Sequence, residues 1–294
     1  MRAKRGRGLN MSVHWQDLDR VASLSGLYTR AALRRKVSGQ QLPDTGLRAW
    51  LTVDNQNLAA YRQVCGFGES GLLPPTYPHV MAFALQMQLL TGHDFPFPLL
   101  GLVHLSNRLR VLRPLGGLSR VRASVHVENL QPHEKGATFN LVTQVEDALG
   151  PLWEEHSVML CKGVKLEGSP PGELQSATAP MIEQARWYAG NDCGRKYAKV
   201  SGDYNPIHLS AASAKLFGFP TAIAHGMWSK ARSLAALREQ LPAANFEVQA
   251  QFRKPVRLPS ELVLWASTGG SSGQFELKGK SDLLHMEGHW SPVA

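Results

Sequence analysis

An acid and an imidazole stand five residues apart in the segment SGDYNPIH, residues 201–208. Asn205 is a good helix N-cap, and Pro206 fits the first helical position, where its missing N–H removes no hydrogen bond. The pattern predicts a helix over 208–217 that stops at Gly218. Asp203 is then expected on the loop before this helix and His208 on its first turn. A carboxylate and an imidazole placed in this way can act on one water molecule as acid and base.

A second helix start follows eighteen residues after Asp203, in the segment TAIAHGM, residues 221–227. Gly226 at the start of a helix can present bare backbone N–H groups, and the positive end of the helix dipole lies behind them. Such an amide can stabilise a developing oxyanion. Acid, imidazole and amide donor together form a candidate catalytic set.

The segments YAKVSGDYNPIHLS and AIAHGM resemble the MaoC-like (R)-specific enoyl-CoA hydratases and dehydratases, which have the hot-dog fold. The resemblance is close over 197–227 and looser over much of 180–294. It implies (R)-specific hydration of trans-2-enoyl-CoA to (R)-3-hydroxyacyl-CoA, or the reverse dehydration. It also implies a place in fatty acid metabolism and a reaction with no metal or redox cofactor.

The resemblance assigns roles to three residues. Asp203 and His208 would hold the water and exchange protons at both ends of the addition on one face of the substrate. The Gly226 N–H would stabilise the enolate oxygen. Hydration of an unsaturated thioester needs all three contributions, because water loses a proton, Cα gains one and the thioester oxygen gains negative charge.

Five further residues are candidates for substrate binding: Ser201, Asn205, His225, Ser233 and Lys254. Asn205 is expected mainly to orient the loop, and His225 faces either the site or the core. Relatives in the family carry a serine on the central helix; Ser233 is the nearest candidate, although alignment by eye places Leu234 there. Lys254 lies where a CoA phosphate could reach, with an ordinary solvated strand end as the alternative.

The chain contains an internal repeat of a long helix followed by strands with alternating apolar residues. The first helix is predicted over 78–90 and the second over 225–241, and His79-Val-Met resembles His225-Gly-Met at their starts. A repeat of this kind predicts two copies of one α+β unit. With the family resemblance, it implies a double hot-dog fold, in which two antiparallel sheets each wrap around a central helix.

The repeat divides the 294 residues into four parts. Residues 1–44 form a basic N-terminal arm, with a disordered leader over 1–12 and a helix over 15–36. Residues 45–165 form the first hot-dog unit, 166–179 a linker, and 180–294 the second unit. The first unit carries Asp54 in the segment LTVDNQN but lacks the SGDYNPIH pattern. It is therefore expected to be a degenerate half that helps to enclose the acyl chain or CoA.

The positive charge is concentrated in the arm. Residues 1–36 contain nine cationic residues against Asp17 and Asp19, a surplus of +7 that leaves +2 of the total +9 for the remaining chain. A body of such low charge, with no nucleic-acid-binding motif, argues against nucleic-acid binding. The arm is expected to be a packing helix with a solubilising tail, with a membrane or nucleic-acid arm as the open alternative.

Other motifs indicate a reduced cytoplasmic protein without a metal site. Cys65, Cys161 and Cys193 are scattered and form no zinc-binding spacing. His285 and His289 would lie about 13 Å apart on a strand, too far apart for one metal ion. The sequence has no apolar run of about 18 residues that could span a membrane. The expected partner is an acyl-CoA thioester, and a homodimer is an open alternative.

Three other functions compete with the hydratase prediction. Two are enzymes of the same fold, a hot-dog acyl-CoA thioesterase and an acyl-carrier-protein dehydratase. The third is a catalytically silent acyl-CoA-binding module. The presence of both Asp203 and His208 argues against a silent module, because a binding protein needs neither residue.

Overall fold

The computed structural model describes residues 13–168, 180–267 and 270–293. The predicted leader and most of the predicted linker lie outside these residues. The described chain forms the following strands and helices: β1 (His14–Leu18), α1 (Leu24–Leu33), β2 (Thr45–Thr52), α2 (Asn55–Cys65), α3 (Tyr77–Leu90), β3 (Val103–Val111), β4 (Arg120–His133), β5 (Gly136–Asp147), β6 (Gly150–Lys162), β7 (Ile182–Ala189), α4 (Cys193–Ser201), α5 (Ala211–Lys215), α6 (Gly226–Ala236), β8 (Phe246–Phe252), β9 (Ser260–Ala266), β10 (Gly273–Lys278) and β11 (Leu284–Pro292).

The strands form one sheet in the order β1-β2-β4-β5-β6-β3-β8-β11-β10-β9-β7. The strands of each repeat occur in the same order, so that β2-β4-β5-β6-β3 corresponds to β7-β9-β10-β11-β8. The two copies join where β3 pairs with β8, with Asn107 opposite Ala250. Neighbouring strands are antiparallel, except that β1 runs parallel to β2. The double hot-dog prediction is confirmed, and the two predicted sheets are continuous through the β3–β8 seam.

Helix α3 is buried because it carries apolar residues on most faces. Helix α6 is also largely buried, but it buries the polar residues Ser229, Lys230 and Ser233 together with its apolar ones. Helix α3 packs on β2, β4 and β5. Helices α2 and α4 follow the first strand of each unit and pack against each other. The rings of Tyr61 and Tyr197 lie 6.2 Å apart in this contact, and Asn57 Nδ2 donates to the Val200 carbonyl at 3.1 Å. Both units therefore contribute helices to one continuous core.

The prediction of an N-terminal helix over 15–36 was wrong for the first half of that segment. Residues His14–Leu18 form β1, which pairs with β2 from His14 opposite Thr45 onward. Arg48 of β2 lies over the Trp15 ring at 4.1 Å. Pairing with the sheet edge outweighs the helical spacing of the apolar residues, as tertiary contacts often do. The helix begins only after Ser23, whose Oγ accepts from Gly26 N.

Two other predicted helices are shorter in the structure. The helix expected over 208–217 is a 3₁₀ turn, Pro206–His208, followed by α5. The break occurs because Ser210 is extended and its Oγ accepts from Ser213 N at 3.1 Å, which caps a new helix. The helix expected over 225–241 ends at Ala236 and continues only as a 3₁₀ turn, Arg238–Gln240.

Candidate active site

The loop that carries the acid begins at a glycine with a positive φ. Gly202 ends α4 with φ of 78°, the left-handed conformation that favours glycine. A Cβ at this position would lie 2.8 Å from Leu24 Cδ1, so α1 also requires a residue without a side chain here. The chain turns through Asp203 and Tyr204 and re-enters a helical turn at Asn205. Asn205 Oδ1 caps that turn by accepting from Ile207 N, as the sequence predicted.

The Asp203 carboxylate is held by the backbone of its own loop. Its Oδ1 accepts from Asn205 N at 3.1 Å, while the Asp203 N–H donates to Ser201 Oγ at 3.1 Å. Burial alone would raise the pKa of this carboxyl, but the imidazoles of His225 and His208 and the Asn205 N–H outweigh it and keep the pKa below its usual value. Asp203 is therefore ionised, and 29% of its side chain remains exposed.

His208 is held with one ring nitrogen free. Its Nδ1 lies 2.7 Å from the Ile223 carbonyl oxygen, which can only accept, so Nδ1 carries the proton. Nε2 is left with its lone pair, and the residue lines a cavity of about 470 Å³. Burial lowers the pKa of His208, although Asp203 acts in the opposite direction. The ring is therefore a neutral base near neutral pH.

His225 lies in the site wall and supports the loop. Its ring stacks on that of His208, with centroids 3.6 Å apart. Its Nε2 donates to the Asp203 carbonyl at 2.9 Å and lies 3.7 Å from Asp203 Oδ2. Burial lowers the pKa of His225 to about 3, so this imidazole is neutral. His225 thus lies between the two environments that the sequence left open: it lines the same cavity as His208, and its ring also packs against buried Tyr197.

Gly226 begins α6, and its N–H belongs to the first helical turn, where N–H groups have no partner within the helix. Phe252 explains the glycine, because a Cβ there would lie 3.0 Å from the phenyl ring. Gly226 lines the same cavity as Asp203 and His208. The acid, the base and the helix start that the sequence predicted thus share one cavity.

The cavity has a volume of about 470 Å³ and is lined by both units. One stripe of α3 forms a wall, with His79, Phe83, Met87 and Leu90 at helical spacing. The first unit thus encloses space beside the acid and base of the second. Lys254 also lines the cavity, together with Lys162 of the first unit.

The prediction for Ser233 needs correction. Ser233 is fully buried and is not part of the cavity lining. Ser229 lies one turn earlier on α6 and does line the cavity. The difference of one helical turn, about 5.4 Å, removes Ser233 from the cavity. Leu234, the other candidate, lies in the wall of a separate pocket.

Asp54 of the first unit is not the counterpart of Asp203. It caps α2, where its Oδ1 accepts from Gln56 N and Asn57 N at 2.9 and 3.0 Å. Topology instead pairs it with Asp192, at the start of α4. The segment equivalent to the Asp203 loop lies between α2 and α3. It begins at Gly66, with φ of 75°, but residues 66–76 contain no histidine.

Tyr28 is a site residue that the sequence did not reveal. Its hydroxyl donates to the Gly202 carbonyl at 3.0 Å, accepts from Tyr204 N and lies 3.5 Å from Asp203 Oδ1. Burial, followed by the Asp203 charge, raises the pKa of Tyr28 far above its usual value, so the hydroxyl stays protonated. The sequence did not reveal this contact because Tyr28 lies 175 residues before Asp203, in a segment that was interpreted as an arm.

Asp203, His208 and His225 also offer ligand atoms within 4.8 Å of one another. Three such groups could surround a divalent cation. His208 Nδ1 and His225 Nε2 are, however, engaged with backbone carbonyls. His225 Nδ1 is buried and has no hydrogen-bond partner among the described residues. The Asp203 carboxylate and His208 Nε2 suit proton transfer to and from one water.

Fold and site together define a hydro-lyase of the MaoC-like dehydratase class, and the MaoC-like domain family matches residues 178–287. The chain belongs to this family, because it is 35% identical over 231 residues to 3-hydroxyacyl-thioester dehydratase X of Mycobacterium tuberculosis. That match covers 78% of this chain and 81% of the relative. A 3-hydroxybutyryl-CoA dehydratase of Methylorubrum extorquens is 40% identical over 65 residues, 21% of this chain and 41% of the relative.

Solved structures support the same assignment. The crystal structure of HtdX from Mycobacterium tuberculosis has a TM-score of 0.74 at 32% identity, covering 84% of this chain and all of that one. A MaoC-like dehydratase from Phytophthora capsici has a TM-score of 0.72 at 21% identity, covering 87% and 96% of the two chains. At that lower identity, the second likeness concerns the fold alone.

Proposed function

We propose that the protein catalyses (R)-specific hydration of a trans-2-enoyl-CoA to the (R)-3-hydroxyacyl-CoA, or the reverse dehydration. One observation carries the proposal: an ionised carboxylate, a neutral imidazole with a free Nε2 and a helix start line one cavity. The dehydratase relatives support the reaction class. The (R) configuration and the individual residue roles are part of the proposal.

In the proposed hydration, Asp203 and His208 hold one water against Cβ of the enoyl thioester. The pair takes a proton from the water as its oxygen attacks Cβ, and returns a proton to Cα on the same face. Each such transfer is typically worth a factor of about 10²–10⁴ in rate. Dehydration follows the same steps in reverse.

The Gly226 N–H would hold the thioester oxygen as it becomes an enolate. A well-placed donor of this kind is worth roughly 3–4 kcal/mol of barrier. The side chains of Asn205 and Ser201 accept hydrogen bonds from backbone N–H groups of the loop. His225 donates to the Asp203 carbonyl of the same loop. Lys254 at the cavity wall is the proposed contact for a CoA phosphate, with Lys162 beside the same cavity.

Hydration of crotonyl-CoA tests the proposal. Wild-type protein should remove the enone absorbance and form 3-hydroxybutyryl-CoA, while Asp203→Asn and His208→Ala should each lower kcat by at least about 10². Matched controls are Asp192→Asn and His93→Ala, both at exposed positions away from the cavity. Full activity in both site variants would refute the roles, and release of free CoA thiol would indicate a thioesterase instead.

We also propose a reducing, cytoplasmic location. Cys65, Cys161 and Cys193 are free and buried, which supports it. Among the described residues, none of the helices is both long and apolar enough to cross a bilayer.

A further inference from the structure

The loop between β8 and β9, residues 253–259, carries Lys254 to the mouth of the cavity. Lys254 is exposed and also lines the cavity wall, so it lies where the cavity opens to solvent. A lysine ammonium group sits on a flexible four-carbon stem and can reach many positions. The backbone of Lys254 therefore determines which part of a bound coenzyme A the ammonium group can contact.

His285 of β11 holds this backbone with both its side chain and its main chain. Its Nδ1 lies 3.0 Å from the Lys254 carbonyl oxygen, which can only accept, so Nδ1 carries the proton. The Arg253 N–H donates to the His285 carbonyl at 2.8 Å. Burial lowers the pKa of His285, although the backbone of Lys254 and Pro255 acts in the opposite direction. One neutral histidine thus binds two consecutive residues of the loop.

Gly279, in the turn between β10 and β11, leaves room for the His285 ring. The side chain of His285 is buried, and a Cβ added at Gly279 would overlap its Nε2. The φ of Gly279 is −107°, which any residue can adopt, so backbone conformation does not require a glycine here. The space taken by the imidazole does require it, and the turn therefore fixes the position of the ring.

The other end of the β8–β9 loop is held separately. The Val256 carbonyl accepts from Ala224 N at 2.9 Å, and Leu258 N donates to the Ala222 carbonyl at 2.9 Å. These two bonds flank Ile223, whose carbonyl holds His208 Nδ1. Loosening the Lys254 end of the loop should therefore displace the lysine without displacing the proposed base.

We propose that His285 is a positioning residue for coenzyme A, because it holds the Lys254 backbone where the ammonium group meets a phosphate of the nucleotide. The inference rests on the proposed function, which makes coenzyme A the carrier of the acyl group. It gives a role to one of the two histidines of the segment HMEGH, whose spacing excludes a shared metal ion. His285 acts through Lys254 and takes no part in the proton transfers.

Two thioesters of crotonate separate this contact from the chemistry. Crotonyl-CoA carries the nucleotide phosphates, whereas crotonyl-N-acetylcysteamine has the same acyl thioester without them. The ratio of kcat/KM for the first to kcat/KM for the second measures what the nucleotide contributes. Lys254→Met should lower this ratio about tenfold, because one charge-assisted contact is lost. His285→Leu should lower it about fivefold, with kcat/KM for the N-acetylcysteamine thioester within about twofold of wild type.

Further variants show whether His285 acts through Lys254. When Lys254→Met is already present, His285→Leu should lower the ratio no further, since the contact that it positions is gone. His285→Asn places an amide Nδ2 near the position of the ring Nδ1 and should keep the ratio within about twofold of wild type. Gly279→Ala displaces the ring without removing it and should lower the ratio as His285→Leu does.

His289→Leu is the matched control, because His289 lies four residues further along β11 and outside the cavity lining. It should keep the wild-type ratio. Equal losses with both thioesters in His285→Leu, or an undiminished effect in the Lys254→Met background, would overturn the inference. If His285→Leu does not fold, Gly279→Ala decides. If the wild type hydrates neither thioester, the proposed function fails, and calorimetric binding of free coenzyme A by the same variants decides the inference.

Discussion

At the scale of single residues, the surroundings of each side chain set the protonation states that the proposed reaction needs. The imidazole of His208 is neutral because burial lowers its pKa, although Asp203 and the Ile223 carbonyl act in the opposite direction. The Ile223 carbonyl fixes the proton of the neutral ring on Nδ1. Asp203 stays ionised because backbone N–H and nearby imidazoles outweigh its burial. The same loop thus supplies a base and an anion at neutral pH.

His225 should make the protein sensitive to acid. Its folded pKa, about 3, lies below the value of about 6.5 for an unfolded chain, so the unfolded state takes up the proton first as pH falls. The free energy of unfolding should therefore be highest above pH 6.5 and decrease as pH falls towards 3. His225→Gln can still donate to the Asp203 carbonyl but cannot titrate, so its urea midpoint should fall less between pH 7 and pH 4.

The control for that prediction is His93→Gln, because His93 is exposed. Its midpoint should follow the wild type at every pH. Identical pH profiles for wild type and His225→Gln would contradict the account of His225.

Gly226→Ala should reduce turnover by moving the start of α6. The added Cβ would lie 3.0 Å from the Phe252 ring, so the helix start or the ring must shift by a few tenths of an ångström. We expect kcat for crotonyl-CoA to fall by about 10–10², because a displaced oxyanion donor loses part of its effect. Phe252→Leu in the same chain should restore part of the loss. A double variant no better than Gly226→Ala would show that crowding by Phe252 is not the cause.

Local sequence was sufficient for the loop residues and insufficient for their neighbours. Asp203, Asn205, His208 and Gly226 follow from spacing, caps and a family pattern confined to 31 residues, 197–227. Ser229 was missed in favour of Ser233, because the phase of a buried helix relative to a cavity depends on packing. Both serines are buried on α6, so the sequence alone does not distinguish the one that lines the cavity.

At the scale of secondary structure, α1 is part of the site rather than an arm. Its Tyr28 hydroxyl joins the Gly202 carbonyl and the Tyr204 N–H, on either side of Asp203. Leu24 of the same helix lies against Gly202. The loop is therefore held from the N-terminal side by a helix outside both hot-dog units.

Tyr28→Phe should loosen the loop while leaving the core intact. Loss of the hydroxyl that joins the Gly202 carbonyl and the Tyr204 N–H should cost about 1–2 kcal/mol. We expect kcat for crotonyl-CoA to fall about three- to thirtyfold, with a small change in melting temperature. Tyr188→Phe, at an exposed tyrosine of β7, is the matched control. Wild-type kcat in Tyr28→Phe would show that α1 does not position the acid.

The elements that the sequence predicted best have strong periodicity. Strands β4, β5, β8 and the helix α3 follow from alternation or from a long apolar run. Strand β1 was predicted as a helix because Trp15 and Leu18 stand three residues apart, which is a helical spacing. The pairing of β1 with β2 determines the extended conformation, and that partner is not visible in the local sequence.

At the scale of the whole molecule, charge is buried at the seam between the two units. Lys230 of the second unit reaches Asn107 of the first and the Val248 carbonyl beyond it. Burial lowers the pKa of Lys230 to about 7, with Glu155 opposing the shift. The seam therefore depends on a polar network as well as on strand pairing.

Lys230→Met should destabilise the fold by about 3–5 kcal/mol, because Asn107 Oδ1 loses its buried donor and the buried Glu155 carboxylate loses a nearby positive charge. Adding Glu155→Gln should recover part of the loss, because the remaining charge is removed. Urea unfolding measures both effects. Lys196→Met, which breaks an exposed pair with Asp192, should change stability by less than about 1 kcal/mol. Additive losses in the double variant would contradict coupling across the seam.

The internal repeat was sufficient to predict two hot-dog units, but it did not predict how their strands pair with each other. Matching helix starts in the two halves predicted two copies, and the sheet order repeats strand for strand. The continuous sheet could not be foreseen, because it depends on β3 meeting β8 rather than on either sequence alone. The cavity shared by both units arises from the same contact.

The central claim is that Asp203 and His208 act on one water from one face of the substrate. Hydration of crotonyl-CoA in D₂O tests it most directly, with the relative configuration at Cα and Cβ read from proton coupling constants in the product. The account predicts that deuterium and hydroxyl add to the same face and that Cβ is (R). Addition to opposite faces, or an (S) product, would contradict it.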